Sequence, residues 1–194
     1  MLGVIESFGV VKGLPLVNFR VIDKDEDLKG FGFPCYLKAD VVGHKSEMGA
    51  VVRCNSFEDA KRELSKMRKI FSEKKIIVQE SFEGIEMIVG VKSDVVFGKL
   101  LVVGFGGIFA EVKKDVSFRA LPVSRADIFS MIEGLDGVGV FSARGKKYDL
   151  GKFVGLVEGV VKLVGEKDVK ELDLNPVLVG ESESRVVDVR VELD

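Results

Sequence analysis

The first residue that could do chemistry is the single histidine of the chain. His44 lies in the segment VVGHKSEMGA (41–50), between Gly43 and Gly49 and directly before Lys45. A neutral imidazole is a competent nucleophile near pH 7, whereas a single polar residue between glycines is more often an exposed surface residue. By itself, this segment leaves both interpretations open.

Oxygen-bearing side chains near the end of the chain follow the period of a β-strand. Strand alternation would place Glu171, Asp173 and Asn175 on one face of the segment ELDLNP, with leucines on the other face. The next apolar segment, RVVDVRV, carries Asp188 on the face opposite its valines. A tight turn centred at 181–182 would then place Asn175 directly opposite Asp188, with Cβ atoms ~4.5–5.5 Å apart.

In that register, Asn175 and Asp188 could share a hard cation. An amide oxygen and a carboxylate suit Mg²⁺ better than zinc, because no imidazole or thiolate lies nearby in the sequence. Half-buried hairpins also carry polar residues on their wet face for solvation alone. Pro176, which lacks a backbone N–H, could in addition shift the register. The pattern therefore leaves a metal site and an ordinary polar face as alternatives.

A glycine-rich segment and two basic side chains could bind an anion. The segment GFGGIFAEVKKDVSFR (104–119) places three glycines within four residues and ends at Arg119, whose guanidinium could hold phosphate oxygens. It matches neither G-x-x-x-x-G-K-S/T nor G-x-G-x-x-G, and most glycine-rich turns are only turns. Lys38 ends a strongly apolar strand, where its ammonium must reach solvent at an edge or meet an anionic partner.

These residues need a scaffold of short strands, and the sequence predicts an α+β fold to supply it. Runs of Val, Ile, Leu and Phe between glycines are typical of strands and tight turns. The predicted strands are 16–22, 34–40, 50–54, 74–80, 85–92, 98–104 and 117–122, followed by a closing hairpin of 169–180 and 184–193. The predicted helices run over 56–71, from 124 onward and over 149–164, with a short helix or turn at 25–31. Without a low-complexity linker, the chain should form two compact lobes that meet near 78–81.

Composition and charge restrict the class of protein. The 194 residues are 46% hydrophobic and 31% charged with a net charge of -2, which is typical of a globular chain that does not attract nucleic acid. No signal-peptide pattern begins the sequence, and no segment approaches the ~20 uncharged apolar residues of a membrane span. We therefore expect a cytoplasmic protein with no membrane partner. Cys35 and Cys54 lack metal-binding spacing and are expected to be thiols in a reducing compartment.

Taken together and in order, these segments resemble one family. The β subunit of ADP-forming acetyl-CoA synthetase shows similar motifs, which in this chain run from about Gly30 to the C-terminus as PCYLKAD, HKSEMGAV, VQESFEGIEMIVGVKSDVVFG, GFGGIFAEVKKDVSFRALP, RG at 144–145, KELDLNP and VVDVRV. The resemblance implies a single ATP-grasp domain of two small α+β lobes, 1–79 and 80–194, with the nucleotide cleft between them. It also implies that acyl-CoA, ADP and phosphate are interconverted with free acid, CoA and ATP. A CoA-binding α subunit that carries a first phosphohistidine is the implied partner.

The resemblance further implies roles for individual residues. His44 would be the mobile phosphoryl carrier that delivers its phosphoryl group to ADP, and Asp173 would lie near the phosphohistidine. Asn175 and Asp188 would hold Mg²⁺ beside the nucleotide, which is ADP or ATP. The residues implied to contact the nucleotide are Lys38 and Arg119 at the phosphates, Val78, Gln79, Glu80 and Ser81 at the adenine, and Glu86 at the ribose.

Three departures from the family pattern keep other functions open. The segment before Gly30 is short, Gly49 is followed by Ala50 where the family has two glycines, and Lys99 stands where the family has a proline. One alternative is a diverged, non-catalytic nucleotide-binding subunit or sensor, in which His44 would have no chemical role. Another is an ATP-grasp ligase that activates a carboxylate for an amine, in which the His44 segment would have no evident use.

Overall fold

The computed structural model describes residues 1–42, 48–107, 114–145 and 147–193, with Arg144 described only in its backbone. Helices and antiparallel sheets occur together, so the predicted α+β class is confirmed. Among the described residues, no helix has both the length and the apolar character that a membrane span requires.

The described chain divides into two compact units, each built on its own sheet. The first unit contains 2–6 and 17–82, and the second contains Met1, 7–16 and the residues from Glu83 onward. The predicted lobes, 1–79 and 80–194, differ from these units in their boundary and in the placement of 7–16. That division into lobes stays a prediction.

The first unit is a four-stranded sheet with one long helix. Its sheet has the order β1-β4-β2-β3, so that β2 and β4 are the inner strands. A 3-10 helix, Asp25–Leu28, follows β1. The other elements are β1 (Phe19–Ile22), β2 (Cys35–Ala39), β3 (Val51–Cys54), α2 (Phe57–Ile70) and β4 (Ile76–Glu80).

The core of this unit lies between α2 and one face of the sheet. The α2 helix begins at the predicted cap, where the Ser56 hydroxyl accepts a hydrogen bond from the Asp59 backbone N–H at 3.2 Å. Its buried residues recur at helical spacing, and on β2 every second residue enters the same core. The fully buried members are Leu28, Cys35, Leu37, Ala39, Ala50, Cys54, Ala60, Leu64 and Val78.

The two cysteines belong to that core and are free, as the sequence predicted. Cys35 and Cys54 lie directly opposite each other on β2 and β3, and both are fully buried. Burial, and after it the neighbouring Cys35, raise the pKa of the Cys54 thiol to about 12, and burial also raises the pKa of Cys35. Both residues therefore remain protonated and serve as apolar packing at neutral pH.

In the described part of the second unit, two helices cover a six-stranded sheet. The strands lie in the order β10-β8-β5-β6-β7, with β9 paired to β8. The helices α3 (Arg125–Glu133) and α4 (Leu150–Glu166) pack on this sheet through apolar side chains such as Met131, Phe153 and Val157. The strands are β5 (Ile85–Asp94), β6 (Gly98–Phe105), β7 (Val116–Ala120), β8 (Val169–Val179), β9 (Ser184–Val186) and β10 (Val189–Leu193).

Each predicted strand and helix is present with shifted boundaries, but the described ranges also contain two elements that were not predicted. These are the helix α1 (Val4–Val10) and a 3-10 helix at Val138–Gly145. The spacing of Val4, Phe8 and Val11, all buried, is the helical signal that could have revealed α1. The predicted last strand is in fact split into β9 and β10, and the break lies opposite Pro176.

Candidate functional site

The carboxy-terminal hairpin of the second unit has the register that the sequence predicted. On one side of the break Val177 lies opposite Val186, and on the other side Leu174 lies opposite Val189. Both registers place Asn175 opposite Asp188, and the Asn175 backbone N–H donates a hydrogen bond to the Asp188 carbonyl oxygen at 3.2 Å. The predicted pairing is therefore confirmed, and Pro176 breaks the ladder without shifting its register.

The two faces of β8 differ as the alternation predicted. Leu172 and Leu174 are fully buried, whereas Asp173 is half-buried and Asn175 is exposed. Asp173 lies between Arg190 on β10 and Gly90 on β5 in the sheet register. The hairpin thus presents oxygen donors on the face of the sheet opposite the two leucines.

Asn175 and the half-buried Asp188 offer two oxygen ligands, which is the type and number of protein ligands that suits Mg²⁺. Mg²⁺ prefers hard oxygen donors and usually binds through one or two carboxylates together with water and substrate phosphates. The described ranges contain no cluster of three or more His, Cys, Asp or Glu side chains that would form a closed metal cage. An open site with two protein ligands is therefore what this hairpin can offer.

Glu86 on β5 packs against the glycine-rich turn. The Gly106 N–H donates a hydrogen bond to the Glu86 carbonyl oxygen at 2.8 Å. Gly107 has a φ of 62°, and a Cβ added there would overlap the Glu86 carboxylate oxygen Oε2. The glycine therefore allows the backbone to approach this carboxylate closely. Residues 108–113 of the glycine-rich segment lie outside the described residues.

The Gly107→Ala variant is expected to lose stability by about 1–3 kcal/mol, because the new methyl group meets Glu86 and the positive φ strains any L side chain. Urea denaturation measures the change. Gly139→Ala in the same unit is the matched control, since a Cβ there meets no atom within 4 Å. Equal effects of the two substitutions would contradict the close contact with Glu86.

Arg119 lies on a different face of the sheet from the hairpin oxygens. It is paired with the buried Leu101 and therefore points to the side covered by α3. There its Nη1 donates to Asp127 Oδ1 at 2.5 Å, in the first turn of α3. The role of Arg119 as a phosphate contact stays a prediction, and its placement on the helix-covered face argues against it. The sequence pattern did not reveal that alternate residues of β7 face α3.

The pKa of Asp127 is held at about 2, first by hydrogen bonds from the Ser124 hydroxyl and backbone N–H and then by Arg119. Since the ordinary value is 3.8, the ionised carboxylate stabilises the fold above about pH 4, and this contribution is lost as the pH falls towards 2. We expect Asp127→Asn to lower the melting temperature at pH 6 but not at pH 2. Thermal melts across this range test it, and a constant difference at every pH would contradict it.

In the first unit, Lys38 is buried, with only 5% of its surface exposed. It lies on the inner strand β2 between Val51 and Ile77, and it faces away from the core that holds Leu37. Of the two alternatives that the sequence left open for Lys38, emergence into solvent at an edge is therefore wrong. A buried ammonium group requires a polar or anionic interaction partner. Lys38 therefore remains a candidate phosphate contact.

The segment 78–81, predicted to contact adenine, uses its side chains in different ways. The Val78 side chain lies in the core, so it does not face a ligand on the other side of the sheet. Gln79 is buried on that other side, and Ser81 follows the end of β4 half-buried. The Glu80 carboxylate accepts hydrogen bonds from the Asn18 backbone N–H at 2.7 Å and side-chain amide at 3.1 Å. The adenine role of the segment stays a prediction.

His44 and its neighbours 43–47 lie outside the described residues, so its role as phosphoryl carrier also stays a prediction. The residues that flank this segment are described, and they include one that sequence reasoning missed. Asp40 directly follows β2, two positions after Lys38, and its carboxylate accepts a hydrogen bond from the backbone N–H of Val4 at the start of α1. The carboxylate that follows an apolar strand was the sequence signal that could have identified Asp40.

The described chain thus combines two units built on antiparallel sheets, one with a hairpin that carries oxygen donors and one with a buried lysine. The chain belongs to the ATP-grasp family, because the family model of the ATP-grasp domain matches residues 7–193.

Among curated relatives, the similarity is to ADP-forming acetate–CoA ligases. Subunit beta of the Pyrococcus furiosus ligase II is 34% identical over 203 residues, which cover 93% of this chain and 86% of the relative. Ligase II of Archaeoglobus fulgidus is 37% identical over 169 residues, or 84% of this chain. This chain spans 25% of the length of that relative. The resemblance predicted from the ordered motifs is thus confirmed.

Solved structures agree with this assignment of family. Acetyl-coenzyme A synthetase 1 of Ca. Korarchaeum cryptofilum, in complex with coenzyme A and Ca-AMPCP, superposes with a TM-score of 0.87 at 30% identity. The match covers 100% of this chain and 93% of that chain. Another structure of the same enzyme holds Mg-AMPPCP, with a phosphohistidine segment pointing towards its nucleotide binding site, and has a TM-score of 0.85. It is 29% identical and covers 98% of this chain and 92% of that one.

Proposed function

We propose that the chain is the nucleotide-binding subunit or segment of an ADP-forming acyl-CoA synthetase. Such an enzyme converts acyl-CoA, ADP and phosphate into free acid, CoA and ATP. The observation that carries the proposal is the hairpin in which Asn175 lies opposite Asp188, since it offers oxygen donors of the kind that a magnesium nucleotide requires. Relatives that bear this activity in their names match most of the chain.

Several of the side chains named above act on the magnesium nucleotide in this proposal. Asn175 and Asp188 hold Mg²⁺, which neutralises phosphate charge when bound. Lys38 adds a positive charge at the phosphates, and Glu86 accepts hydrogen bonds from the ribose hydroxyls. The residues 79–81, together with the backbone of Val78, border the adenine. Bound AMPCP and AMPPCP in the Korarchaeum relative support this choice of ligand.

His44 carries the phosphoryl group to ADP. A ring nitrogen of the neutral imidazole first attacks the phosphorus of the phosphohistidine on the partner subunit, whose P–N bond breaks with its electron pair returning to that histidine. The new P–N bond at His44 then breaks as an oxygen of the ADP β-phosphate forms a bond to phosphorus. The imidazole leaves with the bonding electron pair, so that ATP and free His44 result. Asp173 lies on the same strand as Asn175 and acts near the phosphorylated histidine.

A second subunit completes the enzyme. The Pyrococcus relatives are named as beta subunits, which implies another subunit in those enzymes. For this chain the partner is a CoA-binding α subunit in which a histidine is phosphorylated first. The isolated chain is accordingly expected to bind magnesium nucleotide but to leave acyl-CoA unchanged.

Reconstitution tests the proposal. The chain is mixed with its cognate CoA-binding subunit, Mg²⁺, ADP, phosphate and a panel of short-chain and aromatic acyl-CoAs, and ATP formation is followed. ATP should appear with at least one acyl-CoA, and it should require both polypeptides. Absence of ATP with every acyl-CoA, while a Pyrococcus enzyme works under the same conditions, would overturn it. A non-catalytic nucleotide-binding subunit would instead bind Mg-ADP and never acquire phosphate on His44.

A further inference from the structure

Arg190 lies on β10, on the face of the second sheet that carries the hairpin oxygens. It is paired directly opposite Asp173 in the register of β10 and β8. Its strand neighbours Val189 and Val191 are buried on the other face, and the Arg190 side chain is half-buried. Gly90, which lies opposite Asp173 on β5, adds no side chain to this part of the face. The guanidinium of Arg190 and the carboxylate of Asp173 therefore share one region of this face.

The Arg190 side chain differs from the other arginine side chains in its contacts. Each other arginine with a described side chain donates at least one hydrogen bond, namely Arg20, Arg53, Arg62, Arg68, Arg119, Arg125 and Arg185. Within the described ranges, the Arg190 guanidinium has no hydrogen bond, ion pair or aromatic contact. A guanidinium stays charged in proteins and presents its N–H donors in a planar fork. In Arg190 these donors are therefore available to an anionic ligand.

Arg190 also lies one step along the hairpin from the proposed magnesium pair. Asp188 precedes Arg190 by two positions, as Asp173 precedes Asn175 by two positions on β8. The two cross-strand pairs therefore form neighbouring rows on one face of the hairpin. Residues two positions apart in a strand are separated by about 7 Å, which an extended arginine side chain can span. A phosphate group bound next to Asn175 and Asp188 would thus lie within reach of the Arg190 guanidinium.

We propose that Arg190 contacts the terminal phosphate of the magnesium nucleotide, and this inference rests on the proposed function. The planar fork of a guanidinium matches a pair of phosphate oxygens, so it binds them with more geometric specificity than an ammonium group does. Its charge offsets the negative charge of a phosphoryl group, which phosphoryl transfer requires in addition to positioning. The contact that the sequence had implied for Arg119 is thereby assigned to Arg190, since Arg119 faces α3 and is bound to Asp127.

The test compares nucleotide affinities of the full chain at saturating Mg²⁺, together with its melting temperature without nucleotide. Arg190→Gln should weaken the binding of ADP by about tenfold or more, because a charge-assisted hydrogen bond is lost. It should leave the affinity for AMP, which lacks that terminal phosphate, nearly unchanged. The melting temperature should stay the same, because the side chain has no described partner to lose. Arg190→Lys keeps the charge without the fork, so its affinity for ADP should lie between those of wild type and Arg190→Gln.

Lys92→Gln is the matched control, because Lys92 is an exposed cation on the same face, paired with Glu171 one row further from the proposed magnesium pair. It should leave both affinities unchanged. The inference is overturned if Arg190→Gln binds ADP as wild type does, if it weakens AMP as much as ADP, or if Lys92→Gln has an equal effect. Wild type must bind Mg-ADP in the same assay, and if it does not, the proposed function falls together with the inference. If Arg190→Gln does not fold, Arg190→Lys decides the question, since it must still bind ADP more weakly than wild type.

Discussion

Replacing His44 by Asn should lower ATP formation from acyl-CoA, ADP and phosphate by about 10³-fold or more, while the affinity for Mg-ADP stays the same. The asparagine amide nitrogen is not nucleophilic, so it cannot accept the phosphoryl group. The nucleotide groups proposed above lie elsewhere in the chain and keep their positions. The assay is ATP formation in the reconstituted enzyme, with the binding of Mg-ADP measured on the isolated chain.

The control for this variant is Met48→Gln, which changes an exposed side chain four positions further on. It should keep full turnover. Labelled phosphate should appear on the wild-type chain and be missing from His44→Asn. If turnover continues in His44→Asn and label appears only on the CoA-binding subunit, then a phosphohistidine of the partner donates directly to ADP, and the carrier role of His44 is wrong.

The second large effect is expected at the hairpin. Asp188→Asn removes the carboxylate of the proposed magnesium pair and should weaken the binding of Mg-ADP by about 10- to 100-fold, with a matching fall in turnover at low Mg²⁺. A higher Mg²⁺ concentration should restore part of the activity, because the Asn175 amide oxygen remains. Titration of Mg²⁺ at fixed ADP, followed by calorimetry and by ATP formation, measures both effects.

Glu192→Gln is the matched control on the same strand, since Glu192 is a carboxylate ion-paired with Lys170, with Nζ and Oε1 2.5 Å apart. This substitution should leave the Mg²⁺ dependence unchanged. Equal Mg²⁺ dependence in wild type and Asp188→Asn would show that the hairpin carries an ordinary polar face. The sequence pattern left both a metal site and an ordinary polar face possible. This experiment distinguishes them without depending on the role of His44.

Some of this architecture follows from local patterns in the sequence. The alternation of Leu172 and Leu174 with polar residues fixes which face of β8 is buried, because successive side chains in a strand point to opposite faces. A turn centred at 181–182 then fixes the pairing of Asn175 with Asp188, since every pair in a hairpin follows from its turn. The cap at Ser56 likewise marks the start of α2.

Other placements depend on contacts between residues that are far apart in the chain. Lys38 is buried because β2 is an inner strand of its sheet. The order of strands in a sheet cannot be predicted from the sequence of one strand. Arg119 faces α3 because β7 is paired to β6 in one particular register, which brings Asp127 within reach. The helix α1 was missed, since a short helix is stabilised mainly by tertiary packing.

The sequence by itself thus determined the α+β elements, the hairpin register and the ordered motifs that identify the family, because these depend on neighbours in the chain. Only the tertiary structure decided the burial of Lys38, the contact of Glu86 with Gly107 and the anchoring of Asp40 by α1. Each of these depends on which distant backbone closes over the side chain, and that is set by the packing of the whole unit.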